Sequence, residues 1–222
     1  MSSFAVQLGR HALVERKDDL YETPECATRA LIRHEGGLHR TIWEPACGRG
    51  AISRVLEGAG HAVTSTDLVS YGYGIGGRDF LMERAAPDHC DQIVTNPPFK
   101  LMDEFVSHGL EMCRSVIVLA RWAYAEGVHG AGRRDGLRSK LIDGHLARVW
   151  LGRERLPFMH RDGYEGPKNS NSGAPFAWFV FEREPFHPGA FSVKRISWED
   201  ASTSNVVALS PSDPPTLDLF GE

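Results

Sequence analysis

Apolar positions along this chain alternate between helical spacing and short continuous runs, and the alternation is regular enough to predict elements. Thr23-Pro24-Glu25 is a helix start, with threonine as N-cap and proline at the first helical position. Cys26, Ala27, Ala30 and Leu31 give that helix an apolar face, and Gly36-Gly37 stop it. Thr41-Ile42-Trp43 is an apolar entry into a glycine turn. Ala51, Ile52, Val55, Leu56 and Ala59 then have helical spacing as far as Gly60. Ala62 to Thr66 reads as the next strand and closes at Asp67.

The same order repeats downstream. Gln92 to Thr95 predicts a strand ending at Asn96, Leu101 to Cys113 an amphipathic helix, and Ser115 to Ala120 a buried strand. Strands alternating with helices imply an α/β fold, a parallel sheet with helices on both faces. Ligands in such sheets bind beyond the carboxyl ends of the strands, where Glu44, Asp67 and Asn96 all fall. Leu146–Leu151 and Phe176–Phe181 predict two further strands. Tyr124 to Arg138 reads as a loop or helix rich in Gly and Arg, and His160 to Ala174 as a long exposed loop. The expected organisation is one domain over 1–200, with 121–174 facing the substrate, and a flexible tail over 201–222.

Composition narrows the class. With 41% hydrophobic and 24% charged residues the chain is an ordinary globular one, and no run approaches the roughly 18 apolar residues of a membrane span. The first residues lack the basic start and apolar core of a signal peptide. Four scattered cysteines, Cys26, Cys47, Cys90 and Cys113, fit a reducing compartment, so a cytoplasmic location is expected. The histidines lack ligand spacing beside cysteine or carboxylate, and no metal is expected. Net charge is −4, yet Arg121 to Lys168 holds 10 Lys+Arg against 6 Asp+Glu. A phosphate backbone could lie there, with Arg121, Arg133, Arg134 and Arg138 as contacts and Trp122 and Tyr124 as stacking groups.

Two short motifs carry the candidate chemistry. In Glu44-Pro45-Ala46-Cys47-Gly48-Arg49-Gly50 the glycines permit a tight turn and close approach of a nucleotide. Ser53 stands where a nicotinamide-binding fingerprint would prefer its third glycine. Asp67 suits two ribose hydroxyls, Glu44 a cationic amino group, and Asp79-Phe80 an adenine amino group and ring. The second motif is Asn96-Pro97-Pro98-Phe99. An acceptor on the Asn96 side chain and the Pro97 carbonyl can take both hydrogens of a planar amine and free its lone pair from conjugation. The prolines stiffen the loop and Phe99 offers a stacking face.

Together with Tyr21-Glu22-Thr23-Pro24 and Asp67-Leu68, these segments resemble the ordered motifs of DNA adenine-N6 methyltransferases, and most closely the small phage- or prophage-borne kind. The resemblance spans roughly residues 18–185. It implies a Rossmann-like S-adenosylmethionine (AdoMet) methyltransferase fold, with a mostly parallel seven-stranded sheet and a late antiparallel strand. It further implies that Tyr21 to Pro24 help cover the cofactor and that the target adenine is flipped out of duplex DNA. Related loops also serve RNA bases and protein glutamine, so those substrates, and a non-catalytic DNA-binding accessory, remain alternatives. A monomer or weak dimer is expected. The final Thr216-Leu217-Asp218-Leu219-Phe220 is similar to peptides that bind the bacterial sliding clamp, with Leu217, Leu219 and Phe220 as its apolar contacts.

Overall fold

The computed structural model describes residues 21–126, 135–157 and 173–199. Arg133 and Arg134, most of the 160–174 loop, and the tail with Leu217, Leu219 and Phe220 lie outside the described residues. In chain order the elements are α1 (Glu25–His34), β1 (Thr41–Glu44), α2 (Ala51–Gly58), β2 (Ala62–Ser65), β3 (Gln92–Thr95), α3 (Met102–Met112), β4 (Ser115–Arg121), α4 (Asp135–His145), β5 (Leu146–Gly152), β6 (Phe176–Glu182) and β7 (Ser192–Ile196).

The seven strands form one sheet in the order β2-β1-β3-β4-β6-β5-β7. β2, β1, β3 and β4 run parallel, β6 is antiparallel to both β4 and β5, and β7 pairs parallel with β5. The expected late antiparallel strand is therefore β6. The sequence pattern does not place the seventh expected strand, β7, because an edge strand exposed at four of its five positions writes no apolar run.

Successive residues of each strand point to opposite faces, and the core divides accordingly. Trp43, Ile93, Val116, Val118, Phe179 and Phe181 face α3 and α4. Ile42, Val94, Ile117, Leu119, Trp178 and Val180 face α1 and α2. Full burial on both faces explains why β4 and β6 read as near-continuous apolar runs. Among the described residues no helix is long and apolar enough to cross a membrane.

Two departures from the sequence reading bear on the site. α1 begins at Glu25 with Pro24 as its N-cap, and no side chain caps it. The Thr23 hydroxyl, expected to cap, is engaged elsewhere. Second, a single helical turn, Phe99–Leu101, precedes α3, so the Asn96 loop closes directly onto that helix.

Buried ties hold α1 in place. Ala27, Ala30 and Leu31 are fully buried, and Trp178 of β6 donates its indole N–H to the Ala27 carbonyl over 2.9 Å. Trp178→Phe removes that donor and leaves a void, and should cost about 2–4 kcal/mol. Urea unfolding of the variant measures it, and an unchanged midpoint would show that α1 does not depend on the tie.

Candidate active site

β1, β2 and β3 end side by side, and beyond their carboxyl ends lies a cleft. β1 leaves the sheet through the glycine turn. Gly48 and Gly50 adopt left-handed backbone angles, φ 53° and 83°. Gly50 is the N-cap of α2, and a Cβ there would fall 2.5 Å from the Tyr73 ring. Alanine at that position is thus excluded by conformation and by space.

The turn is knitted to β2. The Cys47 amide donates to the Thr66 carbonyl (3.0 Å) and the Thr66 amide to the Glu44 carbonyl (2.9 Å). Asp67, two residues past β2, accepts the Gly48 amide on Oδ2 (2.8 Å) and the Val69 amide on Oδ1 (2.9 Å). Each oxygen keeps a lone pair for a ligand hydroxyl. Beside it Leu68 is 63% exposed and lines the cleft, an apolar side chain placed where a planar ring could cover it.

Glu44 is only 2% exposed. Its carboxylate accepts both the backbone amide (2.9 Å) and the hydroxyl of Ser53, which in turn bonds Ser65 over 2.6 Å. Burial pushes the Glu44 carboxyl up to about 8, against the lowering effect of the Ser53 bonds. The residue that breaks the nicotinamide-type glycine pattern therefore has a role of its own, because Ser53 anchors the acid at the end of β1.

Asn96 follows β3. Its amide nitrogen donates to the Thr23 hydroxyl (3.1 Å) and toward the Tyr21 carbonyl (3.5 Å). Tyr21, Thr23 and Asn96 all line the cleft, and Tyr21, Asn96, Pro97, Pro98 and Phe99 enclose a small adjoining recess. Phe99 lies between Phe176, with ring centres 6.3 Å apart, and the guanidinium of Arg121, 5.4 Å from its ring centre.

Most residues singled out from sequence meet at this cleft: Tyr21, Thr23, Glu44 to Gly48, Asp67, Leu68, Asp79, Phe80, Asn96 and Pro98. Pro24 and Gly50 support it from behind without lining it. The Asp79 side chain is exposed and accepts the Leu81 amide (3.0 Å), while Phe80 is core, packed edge-on against Trp43 and beside Phe105. Sequence reading missed Arg49, Ile52, Tyr71, Arg78 and Leu101, which also line the cleft. Their one signal was adjacency to the motifs.

Of the expected nucleic-acid contacts, Tyr124 is buried against Phe179 and Phe181, while Trp122 is partly buried and stacks on Phe179. Arg138 pairs with Asp103 (3.0 Å) and covers the Tyr124 ring. Arg121 is exposed at the end of β4. An apolar strand continuing into a helical turn had made these aromatics ambiguous in sequence.

No protein-family profile matches the chain, and no curated protein matches it. Solved structures do. A protein described as the modification subunit of a type I restriction enzyme, from Vibrio vulnificus, superposes with a TM-score of 0.52 at 14% identity, over 82% of this chain and 48% of its own. One described as an RNA methyltransferase, from Pyrococcus horikoshii, gives 0.51 at 13%, over 75% and 87%. The fold is the Rossmann-like fold of AdoMet-dependent methyltransferases. A type I restriction-modification methyltransferase subunit from Streptococcus thermophilus gives 0.49 at 12% identity, over 76% of this chain and 46% of its own. The chain thus spans about half the length of the two restriction-system subunits.

Within this methyltransferase fold Glu44 gives a pH signature. Unfolded, its carboxyl titrates near the ordinary 4.5; folded, it holds its proton up to about 8. Between those values the folded state binds more protons, so stability falls as pH rises through the window. Glu44→Gln should stabilise the unliganded protein, by a margin that grows from about pH 5 to pH 9. Thermal unfolding across that range checks it. Parallel curves for both proteins would assign the titration to another group.

Proposed function

We propose that the protein transfers a methyl group from S-adenosylmethionine to the N6 amino group of adenine in DNA. The observation that carries this reading is the Asn96-Pro97-Pro98-Phe99 loop, which leaves β3 at the rim of the cleft formed by Glu44, the glycine turn and Asp67.

The residues present fit the cofactor. Asp67 has acceptor capacity for ribose hydroxyls, and the exposed Leu68 supplies apolar surface for adenine. Glu44, at the head of the turn, is the acid for the amino group, and a neighbouring ammonium would favour its charged form. When bound, AdoMet supplies an electrophilic methyl group.

The chain contributes position and polarity. Asn96 Oδ1 and the Pro97 carbonyl accept the two amino hydrogens, which concentrates the lone pair on nitrogen. Pro97 and Pro98 hold those acceptors with fixed φ, and Phe99 supports the plane of the base. No covalent nucleophile is required.

The basic stretch after β4 supports a nucleic acid over a glutamine side chain. One similarly folded protein carries a DNA-modification name and another an RNA-methyltransferase name, which makes RNA adenine the second reading.

The test is incubation of the protein with labelled AdoMet and unmethylated duplex DNA, then digestion to nucleosides and mass analysis. N6-methyladenine is expected, with Asn96→Ala losing about 100-fold or more in rate and retaining cofactor affinity. Cofactor binding without label in DNA moves the substrate to RNA or a glutamine amide. Absent cofactor binding leaves a non-catalytic module.

A further inference from the structure

We infer that Thr23 is a positioning residue: with the Tyr21 carbonyl, it sets which way the Asn96 carboxamide faces and so turns Oδ1 toward the amine to be methylated. The inference rests on the amino-methyltransferase reading of the cleft.

A carboxamide is nearly symmetric in shape and antisymmetric in chemistry. Rotated by half a turn, it would present two N–H donors where the reaction needs an acceptor, and donors facing an amine's own hydrogens repel. Something must therefore distinguish the two rotamers, and shape alone does not.

The partners of Asn96 do. The Tyr21 carbonyl is only an acceptor, and at 3.5 Å from the amide nitrogen it favours the NH2 group on that side. The Thr23 hydroxyl, 3.1 Å away, then accepts the better-formed bond. With the nitrogen held by residues 21–23, Oδ1 lies on the opposite edge of the amide plane by covalent geometry. Thr23 is only 5% exposed, so little water is available to substitute for its oxygen.

A second observation shows that this hydroxyl has been committed to Asn96. Thr23 stands one residue before the Pro24 N-cap of α1, the helix has no side-chain cap, and the Thr23 oxygen bonds the Asn96 amide. That oxygen is also well placed in space. Pro24 fixes the backbone between it and α1, and α1 is seated by the buried Ala27, Ala30 and Leu31 and by the Trp178 bond to Ala27.

Tyr21 and Thr23 line the cofactor cleft as well. One segment thus contacts the space for the cofactor and the group that receives the base, and orders both with a single set of bonds.

The experiment compares Thr23→Val, which keeps the shape and removes the oxygen, with Thr23→Ser, which keeps the oxygen. The Asn96 side-chain amide resonances, assigned by their loss in Asn96→Ala, read the contact without substrate. Slow hydrogen exchange is expected in the wild type and in Thr23→Ser, and fast exchange with a shifted resonance in Thr23→Val. With labelled AdoMet and duplex DNA, Thr23→Val should lower kcat about 10- to 100-fold, well beyond any loss of cofactor affinity. Thr23→Ser should restore most of the rate. Equal amide exchange in all three proteins overturns the inference, as does a Thr23→Val defect confined to cofactor affinity. If the wild type methylates no DNA, or Asn96→Ala retains full transfer, the functional reading fails separately. The amide exchange still decides whether Thr23 holds Asn96.

Discussion

The parallel pairing of β1 with β2 on one side and β3 on the other is the constraint from which the site follows. Parallel neighbours end on the same side of the sheet: Glu44 is level with Ser65, and with Trp43 opposite Ile93, β3 runs one residue farther to Thr95. Each chain must turn away there with its final amides and carbonyls still to be satisfied. The β1 exit solves this with left-handed glycines and with bonds to Thr66 and Asp67, groups that belong to the exit of β2. The polar atoms gathered for backbone satisfaction are the ones that then line the cleft.

Burial on that side has a cost that the geometry makes plain. Glu44 occupies a position where desolvation opposes its charge, and Ser53 supplies hydrogen bonds that offset part of the penalty. A glutamine there would keep an acceptor for Ser53 without the buried charge. At the rim, α1 has no side-chain cap, and the Thr23 hydroxyl that precedes it bonds the Asn96 amide.

Much of this was legible in sequence, for identifiable reasons. β4 and β6 are buried on both faces, so their apolar runs stood out, and the glycine turn and the Asn-Pro-Pro-Phe loop announced themselves by backbone chemistry. What escaped depended on partners distant in sequence. β7 is a strand because β5 offers it an edge, not because its own residues insist on it. Tyr124 read as a stacking aromatic because nothing local reveals that Phe179 and Phe181 enclose it. Thr23 carried the correct signature of a cap, and only the arrival of Asn96, 73 positions later, diverts its oxygen.

The place of β6 carries one further consequence. It fills the slot between β4 and β5, is buried at every position but its last, and carries the indole that seats α1. During synthesis β4 emerges long before Phe176, and until then one of its edges is open and apolar on both faces. A nascent chain stopped short of that strand has neither a closed sheet nor a seat for the helix behind Thr23. Such a fragment presents itself to chaperones and proteases as incomplete. Competence therefore arrives late and all at once, when the last long strand slides into the middle of the sheet.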